Sequence, residues 1–358
     1  MSLALAPGLT IGILGGGQLA RMLALAAANL GLKCHIFAPE GDSPAFDVSA
    51  AKTVAAYDDQ MALGQFAGAV DVITYEFENV PAAAVEFLET LKPVRPGSKA
   101  LAVAQDRLAE KSLARELGAM TAAFAPVNTM VDLQAAVTAT GIPAILKTNR
   151  MGYDGKGQAK INSPADIPHA FAAMKGQPAI LESFVRFKSE FSVVCARGLD
   201  GSFAAYDVAE NIHVNHILHT STVPAKIDDD LALEATYVAR RIAEALDYVG
   251  VMGVEFFLGD DVIYVNEIAP RVHNSGHWTM NACIISQFEQ HIRAVAGWPL
   301  GATTRHSNAV MTNLLGDDAS AWASLASEAG TAIHLYGKAE IRKGRKMGHI
   351  NRITPRQG

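Results

Sequence analysis

The sequence predicts an α/β protein that continues as α+β: a doubly wound parallel sheet at the N-terminus, then a small and a larger mixed unit. Three observations predict it. Short apolar runs alternate with helix-length segments through the first third of the chain. From about residue 120 the rhythm changes to strands broken by short helices and Gly-rich turns. At 358 residues the chain is also too long for one core.

The elements follow in order. TIGILG (Thr10–Gly15) reads as a buried parallel strand, and Gln18–Gly31 as a helix that Gly31 stops. KCHIFA (Lys33–Ala38) and DVITYE (Asp71–Glu76) are further strands. Pro81 then opens a helix to about Leu91. Pro93 and Pro96 precede one long helical stretch, Ser98 to Leu117, ended by Gly118. A first boundary near residue 105 gives units of 1–105, 106–200 and 201–358. The second collects PAILKT, a Gly-rich loop, GQAKI, a helix from about Pro164 to Lys175, PAILESF and SEFSVVCARG. The third carries a helix over Asp229–Leu246 and two acidic strands, Gly250–Leu258 and Val262–Val265.

Composition excludes several classes. Hydrophobic residues at 50% against 18% charged describe a packed globular protein, not a disordered one. The net charge of −6 and dispersed Lys and Arg argue against a nucleic-acid face. The basic run Arg342–Lys346 reads as a solvated turn or a phosphate-binding loop. Cys34, Cys195 and Cys283 lie far apart, in or near apolar segments, which fits core packing in a reducing cytoplasm. The start, MSLALAPG, lacks the basic region of a secretory signal, and no apolar run approaches the ~20 residues that span a bilayer.

The most informative motif is YVNEIAPRVHNSGHWT (Tyr264–Thr279). A β-rich run delivers Asn266 and Glu267 to its end, and Pro270 stops regular structure. Arg271, His273, Asn274, Ser275 and His277 follow in a loop. With Glu255 just upstream, these residues suit Mg²⁺, phosphate and a small anionic substrate. Mg²⁺ takes hard oxygen ligands shared with nucleotide phosphates, and Arg reads phosphate or carboxylate by paired hydrogen bonds.

Four other motifs are weaker. Gly15, Gly17 and Ala20 fit a G-x-G-x-x-A turn, but the second strand ends Phe37-Ala38-Pro39-Glu40, a poor ribose clamp. A phosphate of some ligand other than a nicotinamide dinucleotide is the better expectation. LKTNRMGYDGKGQ (Leu146–Gln158) places Lys147 before a flap with Gly152, Gly155 and Gly157, or else is a plain hairpin turn. In LESFVRFKSEFSV (Leu181–Val193), Glu182 and Glu190 flank a linker able to read an adenine and a ribose, though a plain hairpin reads as well. His213, His216 and His219 lie in a β-branched segment read as extended. That splits them between faces and argues against a zinc site.

In order, Lys147, the Gly flap, Glu182, Glu190, Glu255, Asn266 and Glu267 resemble the ATP-grasp superfamily. In that fold ATP lies between a small lid domain and a larger C-terminal domain. GGGQLARM, YEFENV, QDRLAEK, GYDGKGQ, APRVHNSGHWT and GRKMGHIN narrow the resemblance to the 5-(carboxyamino)imidazole ribonucleotide synthases of purine biosynthesis, over residues 10 to about 351. The resemblance implies ATP and Mg²⁺ as cofactors, and bicarbonate and aminoimidazole ribonucleotide as substrates. Arg107 and Lys147 would contact ATP phosphates, and Gly152, Tyr153, Asp154, Gly155, Lys156, Gly157 and Gln158 would close over them. Glu182, Ser183, Phe184 and Val185 would hold the adenine, Glu190 the ribose, with His213 nearby. Glu255 and Glu267 would bind the metal, with Asn266 beside them. Lys338, Arg345 and Lys346 would hold the ribonucleotide phosphate. Gly15, Gly17, Gln18, Leu19, Glu76, Tyr153, Asp154, Arg271, His273, Asn274 and Ser275 would surround its ribose and base. Arg271, His273 and Asp154 would act in the chemistry. A homodimer and a separate mutase that takes the product are also implied. Other ATP-grasp ligases, such as a formate-dependent purine transformylase or a biotin carboxylase, and a nicotinamide dehydrogenase are the rival readings.

Overall fold

The computed structural model describes residues 4–150 and 157–356. The first sheet has the order β3-β2-β1-β4, all parallel, with β1 (Thr10–Leu14), β2 (Lys33–Ala38), β3 (Ala51–Val54) and β4 (Val72–Tyr75). Period-two alternation sorts its side chains. Ile11, Ile13, Cys34, Ile36 and Val72 join the core under helix α1 (Gln18–Asn29). Leu14, Phe37, Ile73 and Tyr75 join that under α2 (Gln60–Gly68) and α3 (Ala82–Glu89). Helices therefore cover both faces, as expected of a doubly wound sheet.

The expected single helix from Ser98 to Leu117 is two: α4 (Ser98–Ala104) and α5 (Arg107–Glu116). Asp106 causes the break. It leaves helical geometry and accepts a hydrogen bond from Ala109 N, so it starts a new helix instead of continuing the old one.

The small sheet is antiparallel in the order β5-β8-β6-β7, from β5 (Phe124–Val127), β6 (Ala144–Thr148), β7 (Gln158–Ile161) and β8 (Ala179–Ser183). Helices α6 (Met130–Thr140) and α7 (Ile167–Ala173) close its separate core around Leu133, Leu146 and Leu181. The segment SEFSVVCAR, read with this unit from sequence, forms β9 (Ser189–Arg197) and pairs along its length with β13 (Gly250–Leu258) of the large sheet.

That sheet has nine antiparallel strands among the described residues. The others are β10 (Phe203–Ala205), β11 (Ala209–Val214), β12 (Ile217–Val223), β14 (Ile263–Ala269), β15 (Ser307–Leu315), β16 (Thr331–Leu335) and β17 (Lys346–Pro355). Their order is β14-β13-β9-β11-β12-β15-β17-β16, with β10 beside β9. The histidine segment is not one extended strand. Asn215 and His216 both take positive φ, so β11 and β12 form a tight hairpin with His213 and His219 on opposite arms. Helix α8 (Asp229–Ala245) packs on the sheet through Ala235, Ala239 and Ile242.

After β14 the chain passes through α9 (Thr279–Ala282) into α10 (Gln287–Val295). Trp278, Phe288 and Ile292 share one core with Ile11 and Leu23 of the first unit. Buried His291 spans the joint: its Nδ1 accepts from Val251 N at 3.0 Å, and its Nε2 lies 2.9 Å from Thr74 Oγ1. The three cysteines are free and buried. No helix among the described residues is long and apolar enough to cross a membrane.

Candidate active site

All three sheets border one cleft of about 450 Å³. Glu78 enters from the loop after β4, Lys147 and Gln158 from the small sheet, and Glu190, His213, Glu255 and Glu267 from the large sheet. Arg107 enters from the start of α5.

The acidic wall depends on a bulge. Glu255 on β13 pairs with Glu267, and Phe256 with Val265, so Asn266 has no partner of its own. The extra residue breaks alternation, and Asn266 and Glu267, though adjacent, both line the cleft. Asn266 Nδ2 comes to 3.5 Å from Glu255 Oε2. Burial, and then the charge of Glu267, push the Glu255 carboxyl up to about 7. A buried carboxyl facing a second carboxylate in this way fits a divalent cation. No set of three or more His, Cys, Asp and Glu gathers for a metal among the described residues, so such an ion would complete its shell with ligand oxygens and water.

Helix α5 braces this wall from behind. Glu110 Oε1 accepts from Ile268 N at 2.5 Å, and Lys111 Nζ donates to Val265 O at 3.2 Å and Asn266 O at 2.5 Å. Both side chains are buried. Burial pushes the Glu110 carboxyl up to about 8. Arg107, one turn earlier, brings Nη1 to 4.0 Å from Glu267 Oε2. QDRLAEK thus carries three site residues, and sequence reasoning named only Arg107.

Lys147 Nζ donates to Glu182 Oε2 at 2.9 Å, and Lys111 Nζ lies 4.0 Å from the same atom. Burial would raise Glu182, but Lys111 and Lys147 outweigh it and hold the carboxyl at about 2. Both lysines take the same oxygen, and the buried Oε1 has no hydrogen-bond partner among the described residues. Of the segment Glu182–Val185, Phe184 lines the cleft, while Ser183 Oγ accepts from Ala123 N. Phe187 and Phe257, stacked with ring centres 4.6 Å apart, extend an apolar slot that sequence reasoning missed. Glu190 Oε2 sits 2.9 Å from His213 Nδ1. Burial works against the charged imidazole, but the bond to Glu190 raises its pKa.

At the opposite end, Arg271 forms a two-point ion pair with Glu78, a residue of YEFENV that sequence reasoning passed over. Burial opposes the charge of Glu78, but Arg271 holds its carboxyl below the usual range. His273 Nε2 is 3.3 Å from Glu255 Oε1. Asn274 exchanges amide hydrogen bonds with Asn313, and Ser275 is fully buried. Lys346 reaches the cleft wall. Lys338 Nζ donates to Lys346 O at 2.8 Å, and burial with the charge of Arg345 pushes Lys338 down to about 8. Of the basic run, Arg342 and Lys343 are exposed at a turn, as the solvated reading expects, and Lys346 at its end lines the cleft.

The Gly15–Gly17 loop departs from expectation. Its amides face a carboxylate of the protein itself: Gly17 N donates to Glu76 Oε1 at 2.8 Å and Ala20 N to Oε2 at 3.1 Å. A Cβ at Gly15 or Gly17 would come within 2.7 Å of Glu76. The glycines admit Glu76, which fills the place expected for a ligand phosphate. Gln18 and Leu19 follow in the first turn of α1. Of the flap, Gly157 and Gln158 are described, and Gln158 lines the cleft. The calls on Gly152, Tyr153, Asp154, Gly155 and Lys156 lie outside the described residues.

Three family models match the chain. They are a ribonucleotide synthetase preATP-grasp domain over residues 9–105, an ATP-grasp domain over 112–288, and a phosphoribosylaminoimidazole carboxylase C-terminal domain over 309–358. An N5-carboxyaminoimidazole ribonucleotide synthase of Brucella melitensis is 53% identical over 355 residues, 98% of each chain. The chain belongs to the N5-carboxyaminoimidazole ribonucleotide synthase family. A solved N5-carboxyaminoimidazole ribonucleotide synthetase in its ADP complex is similar at a TM-score of 0.95 and 42% identity, covering 99% of this chain and 94% of that one. An Aspergillus clavatus synthase, in complex with ADP and 5-aminoimidazole ribonucleotide, is similar at a TM-score of 0.91 and 32% identity, over 98% and 94%. Membership in the synthase family sets aside the transformylase, biotin carboxylase and dehydrogenase readings.

Proposed function

We propose that the chain is the ATP-dependent ligase that carboxylates 5-aminoimidazole ribonucleotide in purine biosynthesis, with bicarbonate as the carbon source. One observation carries the reading. A paired-carboxylate wall with Arg107 and Lys147 beside it shares a single cleft with Arg271, His273 and Lys346. The first group suits a nucleotide's phosphates and a Mg²⁺ held by Glu255 and Glu267. The second suits an anionic ribonucleotide and a carboxylate-sized intermediate.

Bicarbonate is a poor electrophile at neutral pH. Attack of its oxygen on the γ-phosphate would form carboxyphosphate and release ADP. A bound Mg²⁺ would supply charge against the transferred phosphoryl group. Arg107 and Lys147 hold positive charge at the same end, so catalysis is chiefly placement and electrostatics. Carboxyphosphate breaks down to carbon dioxide and phosphate, and the exocyclic amine of the ribonucleotide attacks the carbon dioxide. Arg271 steadies the anion, Lys346 with Arg345 and Lys338 holds the ribonucleotide phosphate, and a closed small unit keeps water out. A homodimer that passes its product to a separate mutase belongs to the same reading.

The test is ADP release with Mg-ATP and bicarbonate, with and without aminoimidazole ribonucleotide. Strong stimulation that requires bicarbonate is expected. A folded, ATP-binding protein that the ribonucleotide leaves unstimulated would overturn the reading.

A further inference from the structure

We propose that Lys111 is a positioning residue for the metal. It holds the two backbone carbonyls that the bulge in β14 turns to one side, and so keeps Asn266 and Glu267 facing the cleft together. This deepens the carboxylation reading and rests on its placing of Glu255 and Glu267 as the metal pair.

Strand β14 ends the strand order of the large sheet, so one edge of its backbone has no neighbouring strand. Four groups on β14 find partners outside the sheet instead. Val265 N donates to Met120 O at 2.8 Å, and Ile268 N donates to Glu110 Oε1 at 2.5 Å. The carbonyls of Val265 and Asn266 both accept from Lys111 Nζ, at 3.2 and 2.5 Å. Helix α5 and the segment after it stand where the next strand would.

A bulge changes what such an edge demands. In a regular strand successive carbonyls point to opposite edges. Val265 O and Asn266 O instead meet on one nitrogen, because Asn266 has no partner on β13. Adjacent carbonyl dipoles aimed the same way repel one another, and a cation between them offsets the repulsion. An ammonium carries three donors and serves both oxygens at once, which a hydroxyl with its single proton cannot.

Lys111 does this from behind the cleft. Its side chain is only 2% exposed, and it is not among the residues that line the cavity. Glu182 Oε2 lies 4.0 Å from the same Nζ, so the ammonium also meets the small sheet, at β8. Arg107, four residues earlier on the same face of α5, reaches the Glu267 carboxylate at 4.0 Å. One helix therefore holds the backbone of the metal strand through Glu110 and Lys111 and faces its side chain through Arg107. Lys111 acts through Asn266 and Glu267 and is not a contact for the nucleotide.

Calorimetric titration of the full chain with ADP, in Mg²⁺ and in EDTA, tests this without turnover. Lys111→Met keeps the length of the side chain and removes every donor. Mg²⁺ is expected to tighten ADP binding to the unaltered protein. In Lys111→Met, affinity in Mg²⁺ should weaken by about tenfold, and affinity in EDTA should stay within about twofold. Undiminished affinity in Mg²⁺ would overturn the proposal. So would equal weakening in Mg²⁺ and in EDTA, the mark of a general structural role. Should Lys111→Met not fold, Lys111→Gln keeps an amide donor for the carbonyls and is read in the same way, with a smaller loss confined to Mg²⁺ expected. Failure of both variants to fold would overturn the proposal, because it places Lys111 in the service of the site and not of the fold. An unaltered protein that binds ADP equally with and without Mg²⁺ would sink the metal reading itself, which tells the two failures apart.

Discussion

Arg271 donates to both carboxylate oxygens of Glu78, through Nε to one and through Nη2 to the other at 2.9 Å. The pair joins the loop after β4 to the loop after β14, and neither side chain is more than about a fifth exposed. Glu78→Ala leaves a guanidinium with its counter-charge removed. The expected loss is about 3 kcal/mol of stability, seen as a lower urea midpoint at unchanged m-value. An unshifted midpoint would show that Arg271 is satisfied without Glu78.

Glu267→Gln keeps the size of the side chain and removes one of the two paired charges. ADP release is expected to fall by about 100-fold or more, with near-UV circular dichroism unchanged. Turnover at the unaltered rate in a folded variant would remove Glu267 from the metal set.

Lys346→Ala is expected to raise KM for aminoimidazole ribonucleotide by about tenfold, as for one lost charge-assisted contact, and to leave KM for ATP within about twofold. Equal effects on both substrates would place Lys346 at the nucleotide end.

Acid stability follows from buried imidazoles. Burial holds His277, His291 and His349 below the usual 6.5, His291 at about 3. The unfolded chain takes up these protons near 6.5 and the fold refuses them. Stability is therefore full above that pH, starts to fall as the pH drops through it, and for His291 continues to fall toward 3. Each fully refused proton contributes about 1.4 kcal/mol per pH unit. Urea midpoints from pH 7.5 to 5 should decline, and His291→Gln should flatten the slope. A midpoint constant over that range would count against refused protons.

Much of this protein was legible in the sequence where periodicity and punctuation are strong. The strands Thr10–Leu14 and Lys33–Ala38 and the start of α1 stand as read. The edge strand Ala51–Val54 went unread because it is mostly exposed and shows no alternation. The break at Asp106 needed its side chain counted as a cap, because helix propensity runs through it. The Gly15–Ala20 fingerprint misled because glycine spacing reports a close approach to backbone and not what approaches. Here it is Glu76, just past the end of β4 and some sixty residues away. The carboxylates of the cleft were visible because charge in an apolar strand is conspicuous. Glu110 and Lys111 were not, since on a helix rich in polar residues nothing marks which ones turn inward.

The unpartnered Asn266 has a further consequence. Val265 and Ile268 on either side are both buried, so the apolar phase of β14 is kept across the interruption. In effect one letter has been inserted into an otherwise regular strand, and the core reads through it. Position 266 is thereby uncoupled from the packing of the sheet. The chemistry of the cleft can be altered there, one side chain at a time, while the hydrophobic pattern that specifies the fold stays as written.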